Sequence, residues 1–157
     1  DGSSSRANGT DDVTTGEVLG SEIFPTLNSV YTPTNANYEK DSANPPNLTY
    51  LDTGTGAVTI NNSDLEESIN ISATYKFTMT ISGLTSGQAN FKLQSTNSAV
   101  VYISERLLDN GNHTIYFTRT AGSGDGIRFR SDTDSGSSFT ISNYSLKKVT
   151  SNTGVLK

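Results

Sequence analysis

Residues 74–83 read TYKFTMTISG, with Tyr75, Phe77, Met79 and Ile81 alternating strictly with Lys76, Thr78, Thr80 and Ser82. A period of two over eight residues is the mark of a strand with one dry and one wet face. Burying four side chains of this size contributes roughly 1.5 to 3 kcal/mol each before entropy is subtracted, which predicts a central core strand. Its outward face offers threonine, serine and one lysine, so the stretch declares architecture rather than chemistry.

Downstream, Gly83 to Gln88 turns and Ala89 to Ser95 returns with Phe91 and Leu93 on one face. The apolar run Ala99 to Ser104 follows, closing at Leu107 to Asn112, where Asp-Asn-Gly-Asn signals a turn. In His113 to Ala121, Ile115 and Phe117 face one way and Tyr116 the other. Gly122 to Gly126 turns again before a short strand at Ile127 and Phe129, and Asp132 to Ser138 reads as a hairpin turn. In Phe139 to Val149, Phe139 and Ile141 occupy one phase and Tyr144 and Leu146 the other. A bulge near Ser142 and Asn143 would bring both pairs into the core.

Upstream, Ile69 and Ile71 lead into the central strand and Asp64 to Ser68 fits one helical turn. Asn47 to Asp52 and Ala57 to Asn61 alternate around Asp52-Thr-Gly-Thr-Gly and predict a hairpin. Thr26 to Pro46 shows no period and reads as a loop of about twenty residues, a length usually tied to binding or to a neighbouring subunit. Glu17 to Phe24, stopped by Pro25, is the expected first strand. Asp1 to Gly16 holds a single branched apolar residue, Val13, and reads as a flexible arm. The prediction is an all-β chain: an antiparallel, jelly-roll-like β-sandwich over residues 17–150 with a flexible N-terminal arm (1–16) and a C-terminal tail (151–157). Arm, tail and the Thr26 to Pro46 loop are expected to order against neighbouring subunits of an assembly.

The bulk numbers agree with that class. The chain has 157 residues, about one domain, with 32% hydrophobic and 17% charged residues; Ser, Thr and Asn together exceed a third. A net charge of −5 without a basic stripe argues against nucleic acid as partner. Arg128 and Arg130 alternate on one short strand and read as a solvated strand face. Cysteine is absent, so thiolate zinc sites and disulfides are excluded. No apolar run approaches the roughly 18 residues of a membrane-spanning helix.

No catalytic residue is nominated. His113, the single histidine, has no nucleophile or orienting carboxylate suggested by the sequence. Asp132-Thr-Asp-Ser-Gly-Ser starts like a calcium loop but lacks the later ligands. Glu66 and Glu67, adjacent on an extended chain, would point to opposite faces and cannot flank one glycosidic bond. Six Asn-x-Ser/Thr triplets, at Asn8, Asn47, Asn61, Asn70, Asn112 and Asn143, are what a chain of this composition produces by chance.

Tyr75 to Val149 resembles the carbohydrate-binding-module-like jelly rolls of the galactose-binding-like superfamily. The resemblance is carried by the core strand YKFTMTISG, the small-residue turn and Phe-x-Leu strand at Gly87 to Leu93, the strand Thr114 to Thr118, the Arg-Phe strand Ile127 to Arg130, and the closing FTISNYSLKKV at Phe139 to Val149. It implies no obligatory cofactor, but a structural calcium between the first and last strands, for which Glu17, Glu22 and Asn143 are the candidates. Tryptophan, the usual sugar-stacking residue, is absent. A glycan site would therefore fall to Tyr31, Tyr38 and Tyr102, where Tyr102 is out of phase with Val101 and Ile103. Relatives this poor in tryptophan look like phage structural modules. The resemblance thus implies a non-enzymatic structural or adhesive module of a virion (head decoration, head fibre or tail fibre). Its partners would be copies of itself, other virion proteins or cell-surface glycans. The alternative is a sugar-binding accessory domain of a secreted bacterial enzyme, located outside the cell.

Overall fold

The computed structural model describes residues 17–133 and 137–152. Among the described residues eleven strands run β1 (Glu17–Leu19), β2 (Thr32–Pro33), β3 (Tyr38–Lys40), β4 (Leu48–Tyr50), β5 (Gly56–Ile60), β6 (Thr74–Ser82), β7 (Ala89–Gln94), β8 (Val101–Leu108), β9 (Gly111–Thr118), β10 (Ile127–Ser131) and β11 (Phe139–Asn152). They form two antiparallel sheets. A six-stranded sheet has the order β9-β6-β11-β4-β3, with β1 also paired to β11, and a five-stranded sheet has the order β2-β5-β10-β7-β8. This is the antiparallel β-sandwich that the alternation predicts.

Strand β6 sits between β9 and β11, and Tyr75, Phe77, Met79 and Ile81 are buried as expected. Across the sandwich, Phe77 stacks on Phe91 of β7 with ring centroids 5.5 Å apart, and Phe24 stacks on Phe129 of β10, also at 5.5 Å. Phe–Tyr contacts continue to Tyr144 of β11, 5.4 Å from Phe129. One aromatic cluster therefore joins both sheets.

The expected bulge is present. The β11–β6 register shifts between Ser142 and Ser145, and Asn143 adopts a φ of 51°, so Phe139, Ile141, Tyr144 and Leu146 are all buried. An asparagine tolerates that left-handed conformation because its short side chain does.

Several expectations need correction. The segments around Asp52-Thr-Gly-Thr-Gly do not pair as a hairpin, because β4 lies in the six-stranded sheet and β5 in the five-stranded one. The Asp132 to Ser138 turn likewise joins β10 to β11 across the sandwich, and the Leu107 to Asn112 turn carries the chain from β8 to β9 in the opposite sheet. A sequence-local turn signal does not reveal whether the chain stays in its sheet. The helical turn is a 3₁₀ turn at Asn62–Asp64, earlier than Asp64 to Ser68. The first strand spans only Glu17–Leu19; Ile23 and Phe24 are core residues outside it.

The Thr26 to Pro46 segment is not a structureless loop. It contributes β2, β3 and a 3₁₀ turn at Asn28–Val30. Asn28 Nδ2 donates to the carbonyls of Asp41 (2.8 Å) and Ala43 (2.7 Å), its backbone N–H donates to Asn44 Oδ1 (2.9 Å), and Lys40 Nζ donates to the Asn28 carbonyl (2.9 Å). The segment is thus held by its own bonds and by the core. Strands of two and three residues are too short to leave a readable period. Residues 1–16 and 153–157, on which the arm and tail expectations fall, lie outside the described residues.

At one end of the sandwich Arg119, 7% exposed, gathers backbone oxygens: Nη1 donates to Ile69 (2.7 Å), and Nη2 to Gly122 (3.0 Å) and Gly124 (2.6 Å). Its guanidinium also lies over the Tyr102 ring at 6.0 Å. A planar fork of donors can satisfy carbonyls of two loops that no strand ladder reaches.

Candidate ligand-binding face

The two sheets leave two outer faces, built from the polar phases of their strands, and the polar groups on them are arranged differently. On the six-stranded sheet they bond to one another across strands. Thr49 and Thr140 hydroxyls meet at 2.9 Å, Thr74 and Thr118 at 2.8 Å, and Thr80 donates to Asn112 Oδ1 at 2.7 Å. Glu17 accepts from Lys76 Nζ at 2.9 Å and from the Tyr116 hydroxyl. Those two bonds, the Tyr116 one foremost, hold the Glu17 carboxyl below its ordinary value. Among the described residues, none of the buried side-chain polar atoms left without a partner lies on this face.

On the five-stranded sheet the registers align Thr32, Thr59, Arg128, Gln94 and Val101 in one row across β2, β5, β10, β7 and β8. The next row is Ala57, Arg130 and Lys92. At its far end the Asp132 backbone N–H donates to Asn90 Oδ1 at 2.8 Å, and Asn90 pairs with Leu107. Alternation produces this: Phe91, Leu93 and Phe129 point inward and their neighbours outward.

This face is not closed. Among the described residues seven buried side-chain N or O atoms lack a hydrogen bond, and five of them belong here: Asn90 Nδ2, Gln94 Oε1, Arg128 Nε, Arg130 Nε and Asp132 Oδ1. Asn90 is fully buried and Gln94 is 5% exposed. Arg130 Nε lies 3.5 Å from Asp132 Oδ1, an ion pair without hydrogen-bond alignment, and Lys92 Nζ lies 3.8 Å from Asp132 Oδ2. A buried polar group without a partner costs about 1 to 3 kcal/mol, and natural proteins keep few of them. Val101 and Leu107, nearly half exposed, add apolar surface along the β8 edge.

The residues nominated from sequence are elsewhere. Tyr31, Tyr38 and Tyr102 are 0%, 2% and 5% exposed, so none presents a ring face to a sugar. Their hydroxyls are used internally: Tyr31 donates to the Pro25 carbonyl (2.6 Å), Tyr38 shares a hydrogen bond with Ser131 Oγ (2.7 Å), and Tyr102 donates to the Gly126 carbonyl (2.9 Å). Burial raises all three phenol pKa values, that of Tyr102 to about 12. Tyr102 and Ile103 are both buried while Val101 is exposed, because the β7–β8 register shifts between Leu93 and Gln94 and resets the phase.

Glu17, Glu22 and Asn143 do not assemble a donor set for calcium. Lys76 occupies the cation position beside Glu17. Glu22 is saturated: Oε1 accepts from Ser145 Oγ (2.6 Å), and Oε2 from the backbone N–H of Leu146 (2.7 Å), Ile23 (3.2 Å) and Phe24 (3.2 Å). That carboxylate ties the chain after β1 to β11. Asn143 is exposed at the bulge, and no cluster of three or more His, Cys, Asp or Glu suited to a metal occurs among the described residues. His113 donates from Nε2 to the Asp109 carbonyl at 2.7 Å.

No protein-family model matches the chain, and no curated protein matches it in sequence. Solved structures do match it in shape. A structure described as "CBM4 structure and function" aligns over 77% of this chain and 96% of its own, at 12% identity and a TM-score of 0.52. A family 29 carbohydrate-binding module aligns over 83% and 88% at 11% identity with a TM-score of 0.50. The chain has the fold of carbohydrate-binding modules. PfGH50B also matches, at 12% identity and a TM-score of 0.50, over 87% of this chain but 25% of its own, so a sandwich of this shape also occurs as one part of a longer protein.

Sequence reading missed this face because each strand supplies two or three of its residues and none is distinctive alone. The available signal was the polar phase of residues 89–95, which is Asn90, Lys92 and Gln94 where the central strand has mainly threonine.

Proposed function

We propose that this chain is a non-catalytic carbohydrate-binding module that holds sugar on the outer face of the five-stranded sheet. The observation that carries the reading is the collection of five unpartnered buried polar atoms on that face, against none on the other. Sugar hydroxyls donate and accept, and can reach such groups once the long Arg128, Arg130 and Lys92 side chains swing aside. Selectivity follows because an analogue lacking the hydroxyl leaves the protein atom unpaired. The shared fold supports the reading, and the exposed Val101 and Leu107 give the C–H face of a sugar an apolar neighbour.

The setting of the module is a separate matter. An accessory domain of a secreted enzyme is the reading we favour, since modules of this fold are its structural neighbours and one lies within a longer chain. A virion fibre or decoration could use the same face on cell-surface glycans, but its support is the composition and the resemblance described above. Both place the module outside the cell.

Affinity electrophoresis through gels loaded with plant and algal polysaccharides tests the binding reading. Retardation by at least one polysaccharide is expected, lost in Gln94→Leu and kept in Thr78→Val on the opposite face. Loss in Thr78→Val with retention in Gln94→Leu would move the site to the six-stranded sheet.

A further inference from the structure

We infer that the ligand of this face is an anionic glycan, one bearing carboxylate or sulfate groups; this rests on the binding reading above and adds the charge class of the sugar. The face carries three cations, Lys92, Arg128 and Arg130, and two carboxylates: Asp132, which serves both Lys92 (3.8 Å) and Arg130 (3.5 Å), and Glu105, exposed on β8 where the register sets it across from Lys92. Arg128 has no carboxylate within ion-pair distance among the described residues; its Nη1 donates to the neutral Ser98 hydroxyl at 2.7 Å and its Nε is buried without a partner. Arg106 beside Glu105 is in register with inward-facing Phe91, so it lies on the other phase of the β8 edge. The face therefore holds one cation in excess, Arg128 being the one without a counter-charge, on a chain of net charge −5.

That distribution opposes the rest of the molecule, and half-buried cations without counter-charges favour an anion more than a neutral ligand. Guanidinium groups pair with carboxylate and sulfate oxygens through two parallel N–H donors, and Arg128 and Arg130, two residues apart on one strand, lie side by side about 7 Å apart. Gln94, in register with Arg128, and Asn90, beyond Lys92, add one unpartnered acceptor and one unpartnered donor, which suit the hydroxyls beside the charged group. An aromatic platform is not needed where charge-assisted bonds supply the affinity.

Calorimetry and affinity electrophoresis with polygalacturonate, a sulfated galactan, neutral xylan and hydroxyethylcellulose test the inference on the chain as it stands. Binding is expected to one or both acidic polymers, weaker as salt rises, and about tenfold weaker in Arg128→Gln and in Lys92→Gln. Preference for polygalacturonate assigns carboxylate, and preference for the galactan assigns sulfate. Each variant's fold is checked by circular dichroism, and Lys92→Gln decides alone should Arg128→Gln not fold. Neutral polymers binding equally well, with both substitutions silent and Gln94→Leu damaging, would overturn the anionic inference and leave the binding face standing. No binding to any polymer would overturn both.

Discussion

The outer faces of the two sheets share one core but treat their polar groups in opposite ways. The six-stranded face pairs threonine with threonine and Lys76 and Tyr116 with Glu17, and among the described residues leaves no buried side-chain polar atom without a partner. The five-stranded face keeps Asn90, Gln94 and Arg128 short of partners. Saturation makes a face inert and stable, whereas unpaired capacity costs stability and is retained where something outside the chain can fill it.

The largest expected effect removes what the faces share. Phe77→Ala deletes the ring that stacks on Phe91 and meets Phe129, and should cost about 3 to 5 kcal/mol in urea unfolding. Loss should be cooperative, seen as one coincident transition by tyrosine fluorescence and circular dichroism. Separate transitions would show that the two sheets are independent units, and the contrast between their faces would lose its common reference.

A smaller effect distinguishes the faces directly. Thr140→Val breaks the Thr49–Thr140 pair and should cost about 1 kcal/mol, because a partner is left unbonded. Gln94→Leu removes an unpartnered acceptor and should leave stability unchanged or raise it by up to about 1 kcal/mol while abolishing sugar retention. A destabilised Gln94→Leu would mean that the amide is satisfied in solution, and the contrast would collapse.

The smallest effects lie at the two ends of the pH scale. The Tyr102 phenol is raised by burial from 10 to about 12, so its contribution is complete below pH 10 and is lost as pH climbs towards 12. Tyr102→Phe should flatten that alkaline limb of a thermal melting profile. Glu17 is lowered, so its contribution is present above its ordinary value near 4.5 and fades as pH falls through the depressed one. Glu17→Gln should remove a small acid-side loss, and no change at all would mean that solvent screens the Lys76–Glu17–Tyr116 set completely.

By itself the sequence determined the class of the molecule and much of its core. The strict alternation at 74–82 could bury only one set of side chains, and the phase change at Ser142–Asn143 demanded a bulge that is present. Those signals are local, carried by neighbours along one strand. Tertiary structure alone decided which strands share a sheet, since the turns at Asp52 and Asp132 read as hairpins and instead cross the sandwich, as does the turn at Asp109. It alone buried Tyr31 and Tyr38, because the core's demand for aromatic volume reaches into segments with no readable period, and Tyr102, because a register shift in β8 resets the phase. It also assembled the candidate face: Arg128 and Gln94 are 34 residues apart in the chain and become neighbours only through the register of β10 against β7, a pairing set by inward-facing Phe129 and Leu93 rather than by the residues that face the ligand.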